Sequence, residues 1–125
     1  MRTSLIIPTY NRPDILRRTL TAIRALETQP DEIIIIDDGT PTSYKLPPTR
    51  LDSVDPRRTS YRLRFIRQPH GGQAAARNTG IRASRGTICC FLDDDCQPEP
   101  DWLGVLLRPF TDPDTVGVSG AIHYV

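Results

Sequence analysis

Ile33-Ile34-Ile35-Ile36-Asp37-Asp38-Gly39-Thr40 runs four β-branched residues directly into two carboxylates and a glycine. A continuous apolar run without alternation suits a strand covered on both faces, as in a parallel α/β sheet. Leu5-Ile6-Ile7 is a similar run, followed by Pro8-Thr9-Tyr10-Asn11. Ile88-Cys89-Cys90-Phe91-Leu92 is a third, followed by Asp93-Asp94-Asp95. Residues 62–67 alternate Leu63 and Phe65 with arginines, which predicts a strand with one face toward solvent. Residues 116–125 form a last candidate strand, interrupted by Gly117 and Gly120.

Helical spacing fills the intervals. Between Pro13 and Leu26, Ile15, Leu16, Leu20, Ile23 and Leu26 recur at steps of three and four, one apolar stripe for the sheet. Pro13 suits the first turn, with Asn11 or Arg12 near the cap. A second helix is predicted over residues 72–84, with Gly86 behind it as a stop. A third follows Pro100, with Trp102, Leu103, Leu106 and Leu107 facing inward. Pro41, Pro47, Pro48 and Pro56 exclude a long helix from residues 40–60 and favour an exposed loop there. The order β-α-β-loop-β-α-β-α-β predicts a doubly wound or related α/β fold. Ligands of such sheets bind beyond the carboxyl ends of the strands.

The chain of 125 residues is long enough for one domain with a sizeable core. Its 16 basic and 15 acidic residues leave a net charge of +1. The arginines are scattered and not interleaved with aromatics, which argues against nucleic acid as a partner. Cys89, Cys90 and Cys96 cannot all pair within one chain, and no CxxC spacing exists. His70 and His123 lie far from them, so a zinc site is not expected, and the thiols read as reduced and cytosolic. No apolar run suits a signal peptide or a bilayer span. The expectation is a cytoplasmic protein, with association at the membrane surface left open.

In a parallel sheet, the clusters after Ile7, Ile36 and Leu92 would open onto one edge. Five carboxylates would then share a small region and repel one another, some taking up protons. A divalent cation relieves this, because hard cations prefer oxygen ligands. His70-Gly71-Gly72 precedes a helix, where exposed N–H groups favour an anion. Arg77, one or two turns in, could reach a phosphate with its planar fork. Metal and arginine could together grip a diphosphate.

Four segments resemble family 2 glycosyltransferases. Residues 4–12, Ser-Leu-Ile-Ile-Pro-Thr-Tyr-Asn-Arg, look like the family's opening strand and loop. Ile36-Asp37-Asp38-Gly39-Thr40 resembles its second-strand signature, which usually ends in Ser. Ala76-Arg77-Asn78-Thr79-Gly80 is similar to the helix before its metal site, and Phe91-Leu92-Asp93-Asp94-Asp95-Cys96 with Pro98 looks like its DxD motif. The matches fall in the family's order and cover nearly the whole chain.

The resemblance implies a GT-A fold, a mostly parallel sheet flanked by helices. It also implies a nucleotide-diphosphate sugar donor and Mn²⁺ or Mg²⁺. Pro8, Thr9 and Tyr10 would line the base and ribose pocket, and Asp38 would contact the base. Arg77 would lie near the base and diphosphate. Asp93 would meet ribose, donor and metal, and Asp95 would bind the metal. Asp94, the middle residue of DxD, would be among the donor-binding residues.

The implied chemistry is direct displacement with inversion onto an acceptor the sequence does not identify, whether glycan, lipid or small molecule. The family's general base lies in a later segment that this chain does not contain. Residues 1–125 therefore read as the N-terminal, donor-binding part of a transferase domain, with slow transfer or none by itself. An apolar strand edge left open would favour self-association as a homodimer.

Other readings fit less well. A dehalogenase-type phosphatase would need its nucleophile where Ile36 stands, or Thr or Val where Gln97 stands. A sugar nucleotidyltransferase would carry a Gly-rich loop in place of Pro8-Thr9-Tyr10-Asn11. A nucleotide-sugar-binding module without transfer activity is the non-enzymatic alternative.

Overall fold

The computed structural model describes residues 1–42 and 61–124. Residues 43–60, most of the loop expected over 40–60, lie outside the described residues. The strands are β1 (Thr3–Thr9), β2 (Glu32–Asp37), β3 (Arg62–Arg67) and β4 (Ile88–Phe91). The helices are α1 (Pro13–Arg24), α2 (Gln73–Ala83) and α3 (Trp102–Leu107), and a 3-10 turn covers Arg108–Thr111.

All strand pairs are parallel, in the order β3-β2-β1-β4. The chain builds outward from β1 to β3, then returns to pair β4 on the other side of β1. Every residue of β1 and β2 is buried, which is why their apolar runs do not alternate. On one face Leu5, Ile7, Ile33 and Ile35 pack with Leu16 and Ile23 of α1 and Leu103 of α3. On the other, Ile34 and Ile36 pack with Ala76 of α2. Each fully buried Leu or Ile contributes roughly 1.5–3 kcal/mol.

α2 approaches the sheet closely because of Gly80. A Cβ there would lie 2.3 Å from Cγ2 of Ile6. At the amino edge of the sheet, Ser4 Oγ (2.6 Å) and the Arg85 N–H (2.6 Å) donate to Glu32. Burial alone would raise the Glu32 pKa. The Ser4 and Arg85 bonds, with the Arg64 guanidinium, outweigh it and hold the carboxyl below its ordinary value.

Several expectations are corrected. Residues 116–124 form no strand. Gly117 and Gly120 weaken the extended conformation, and Val116, Ile122 and Tyr124 are exposed, so no burial compensates. In β3, Arg64 does not face open solvent. It reaches under α2, donating to the Ala83 carbonyl (2.6 Å) and pairing with Glu32 (3.6 Å), while Arg62 and Arg67 are exposed and Phe65 on the opposite face is exposed as well. Ile15 is exposed, and Thr19 takes its place on the buried face of α1. α1 ends at Arg24, two residues before Leu26, although Leu26 still packs into the core. All three cysteines are free; Cys90 is buried, and Cys89 and Cys96 are half-buried. Among the described residues no helix is long and apolar enough to cross a membrane.

Candidate active site

β1 and β2 end in register, with Thr9 opposite Asp37, and Arg67 at the end of β3 opposite Asp37 in turn. The polar segments that follow β1, β2 and β4 therefore share the carboxyl edge of the sheet. Hydrogen-bond and ion-pair partners within the chain meet their carboxylates.

Asp37 accepts the Thr40 N–H (3.1 Å) and Thr40 Oγ1 (2.5 Å), with Arg67 Nε 3.8 Å away. The Arg67 guanidinium also donates to the Thr40 carbonyl. Asp38 is buried beneath the loop that leads into α2. Its Oδ1 accepts Gln68 Nε2 (2.7 Å) and the Gly71 N–H (3.0 Å), and its Oδ2 accepts the Gly72 N–H (2.8 Å). His70 Nδ1 lies 3.0 Å from both Oδ2 and the Asp38 carbonyl. Burial alone would raise this carboxyl's pKa. The Gln68, Gly71 and Gly72 bonds and His70 pull it below the ordinary value instead.

The loop geometry demands glycine at position 39. Gly39 has φ +85°, and a Cβ there would lie 2.7 Å from the His70 backbone nitrogen. The Gly71 and Gly72 amides, expected to face an external anion, instead clamp Asp38. The anion they bind is a carboxylate of the chain itself.

The three consecutive aspartates diverge. Asp94 is 1% exposed, accepting Thr9 Oγ1 (2.7 Å) and Arg12 Nη2 (2.5 Å), while its carbonyl accepts Thr19 Oγ1 (2.6 Å). Burial raises its pKa, Thr9 and Arg12 oppose the rise, and Asp95 and Asp93 add to it. Asp93 and Asp95 stay at the rim, 42% and 54% exposed. Asp93 accepts Arg77 Nη2 (2.8 Å) and Gln73 Nε2 (3.0 Å), and Asp95 sits 3.5 Å from Arg12 Nη1.

Residues 9–12 join the two acidic segments. The Asp38 N–H donates to the Thr9 carbonyl (2.9 Å), and the Asn11 N–H to Thr40 Oγ1 (2.9 Å). The Tyr10 ring, half-exposed, stacks on His70 with centroids 4.5 Å apart and a 34° tilt. Asn11 takes a left-handed turn, φ 55°, which starts α1 with Arg12 at its cap. Pro8 is buried within β1, so its contribution is to the floor of this edge.

A groove of about 620 Å³ begins at Arg77 and Asp93 and runs along β4 past Phe91, Trp102 and Leu106 to residues 116–122. Arg77 Nε is buried without a hydrogen-bond partner among the described residues, close to that opening. Among the described residues no three His, Cys, Asp or Glu side chains form a ready-made metal cluster.

Sequence reading missed Arg12, Thr19, Gln68 and Gln73 as members of this network. In the sequence Arg12 marks only the cap region and the end of the 4–12 segment, and nothing singles out Thr19. Their partners lie far away in the chain, so local pattern carries no signal for them.

The family model described as Glycosyl transferase family 2 matches residues 4–125. Glycosyltransferase AglE of Haloferax volcanii is 35% identical over 97% of this chain and 40% of its own length. A pre-mycofactocin glycosyltransferase of Mycobacterium tuberculosis is 33% identical over 95% of this chain and 23% of its own. The chain thus spans well under half of these relatives. Among solved structures, S. aureus TarS 1–349 superimposes with a TM-score of 0.64 at 21% identity, covering 87% of this chain and 33% of that one. Glucosyl-3-phosphoglycerate synthase of M. tuberculosis, crystallised with Mn²⁺, UDP and glucosyl-3-phosphoglycerate, gives 0.63 at 20%, covering 87% and 39%. The parallel sheet flanked by helices has the GT-A fold. With the match running from Ser4 to the last residue and the acidic segments gathered at one edge, the chain belongs to glycosyltransferase family 2.

Proposed function

We propose that this edge is the donor site of an inverting glycosyltransferase that uses a nucleotide-diphosphate sugar and Mn²⁺ or Mg²⁺. The observation that carries the reading is the tie made by residues 9–12 between Asp38 and the 93–95 loop. Two acidic segments distant in sequence are thereby presented at one rim. Tyr10 offers a half-exposed ring on which a base stacks, and His70 backs it. Pro8 and Thr9 precede it at the buried end of β1, and Asp38 orders the loop that carries His70.

The side chains at the rim fit a divalent cation. Asp93 and Asp95 are exposed oxygen donors flanking an inward-turned Asp94, and Mg²⁺-type sites commonly use one or two carboxylates completed by substrate phosphates and water. Such a cation supplies positive charge against the departing diphosphate. Arg77, half-exposed beside Asp93, suits an adjacent phosphate oxygen through the outer edge of its planar fork. Asp94 belongs to this machinery as the residue that holds the loop in place. Inversion requires an acceptor hydroxyl opposite the leaving group and a base within hydrogen-bond reach of it.

TarS has been crystallised with UDP-GlcNAc, and the synthase above with UDP and Mn²⁺, which makes UDP the first nucleotide to try. Calorimetry with uridine, guanosine and thymidine diphosphates, with and without Mn²⁺, tests the reading. Metal-dependent binding of one nucleotide, lost in Asp95→Ala, is expected. Binding indifferent to both metal and Asp95 would overturn it.

A further inference from the structure

Arg12 reaches two neighbouring carboxylates in unequal ways. Nη2 sits 2.5 Å from Oδ1 of Asp94, a group almost wholly buried and also held by Thr9. Nη1 sits 3.5 Å from Oδ2 of Asp95, and both of those side chains are about half exposed. One arm is locked and the other is loose. A guanidinium stays charged throughout the working pH range, so neither arm is released by titration.

We propose that Arg12 is a resident counter-cation of the 93–95 loop, gripping Asp94 permanently and Asp95 only until a divalent cation displaces it. The proposal rests on the reading of Asp95 as a metal ligand. Without Arg12, the adjacent charges of Asp93, Asp94 and Asp95 would repel across one short turn, with Arg77 and Gln73 serving only Asp93. With it, the loop holds its shape before the cation arrives. The exchange at Asp95 breaks only a solvent-exposed pair, the weakest kind of ion pair. Arg12 therefore competes with the cation, and the empty site captures metal more weakly than its two rim carboxylates would alone.

Mn²⁺ binding to this chain without nucleotide, followed by the paramagnetic resonance of free Mn²⁺, tests this. Arg12→Gln removes the competitor, and the Mn²⁺ dissociation constant falls, on the order of threefold for an exposed pair. Asp94→Asn frees the locked arm to turn on Asp95, and the constant rises. A merely structural role would weaken binding in both variants. Arg12→Lys keeps a cation for Asp94 but cannot span both carboxylates. It gives the same tightening as Arg12→Gln with an unchanged thermal melt, so a loss of fold in Arg12→Gln does not decide the matter. Unchanged or weaker Mn²⁺ binding in Arg12→Lys overturns the proposal while leaving the metal reading intact. No Mn²⁺ binding by the unsubstituted chain, even with UDP present, overturns both.

Discussion

Thr9 donates its hydroxyl to the buried Asp94 at 2.7 Å, and through its carbonyl holds the N–H of Asp38 at 2.9 Å. One residue at the end of the central strand thus fixes the positions of two acidic loops. Thr9→Val keeps the β-branched shape that suits the strand and deletes only the hydroxyl. Among the described residues Asp94 would be left with Arg12 as its one side-chain partner, and a buried acceptor deprived of a donor costs about 1–3 kcal/mol. Urea denaturation should show a loss of that size, with no change in the slope against denaturant.

Asp38 links folding to pH. Its folded carboxyl titrates below the ordinary value of 3.8, so the ionised form is favoured by the native state. That stability is fully present above the unfolded value and is lost as pH falls through the lowered folded value. Asp38→Asn turns an amide toward glycine N–H donors and should cost about 1–3 kcal/mol near neutrality. The deficit should shrink in acid, where the natural carboxyl is protonated too. Parallel denaturation curves at neutral and strongly acidic pH would check this, and a constant difference would contradict it.

Gly80 permits the contact between α2 and β1. In Gly80→Ala the new methyl would overlap Ile6 Cγ2, a branched side chain with no room to move. Overpacking of about 1–3 kcal/mol outweighs the gain of about 1 kcal/mol in helix propensity. Gly80→Ala should lower the melting temperature, and Ile6→Ala in the same chain should cost less than the two single losses added, since the clash is then gone.

Arg77→Lys keeps the charge but loses the planar fork. With a phosphate on that fork, nucleoside diphosphate binding should weaken by about tenfold or more, as charge-assisted hydrogen bonds suggest. Calorimetry with UDP and Mn²⁺ measures it, with melting temperature as the control for fold.

Burial and the neighbouring Cys89 raise the Cys90 thiol to about 11. At a pH of about 8 its thiolate fraction is on the order of one in a thousand, and the thiolate is the reactive form. Titration with a disulfide reagent should find Cys90 protected in the native chain and all three thiols reactive in urea.

Much of the architecture was legible because the relevant signals are local. Four isoleucines between Glu32 and Asp37 leave little choice but a strand buried on both faces, and the stripe Leu16, Leu20, Ile23 requires a helix against it. The segment 116–124 misled, since its valines and isoleucine look like a strand while strand formation depends on a neighbour to pair with. Arg64 misled likewise. An arginine in alternation reads as solvent-facing, but the buried Glu32 on the adjacent strand draws it under α2.

From the order of residues alone came the strand and helix types, the three polar segments at strand ends and the family. Those follow from periodicity and short motifs, which act over a few residues. Only the tertiary structure decided what each aspartate does. Asp38 takes the glycine amides, Asp94 turns inward to Thr9 and Arg12, and Asp93 and Asp95 remain at the rim. Identical side chains acquire different roles because burial and the donors that meet them are set by packing between segments far apart in the chain.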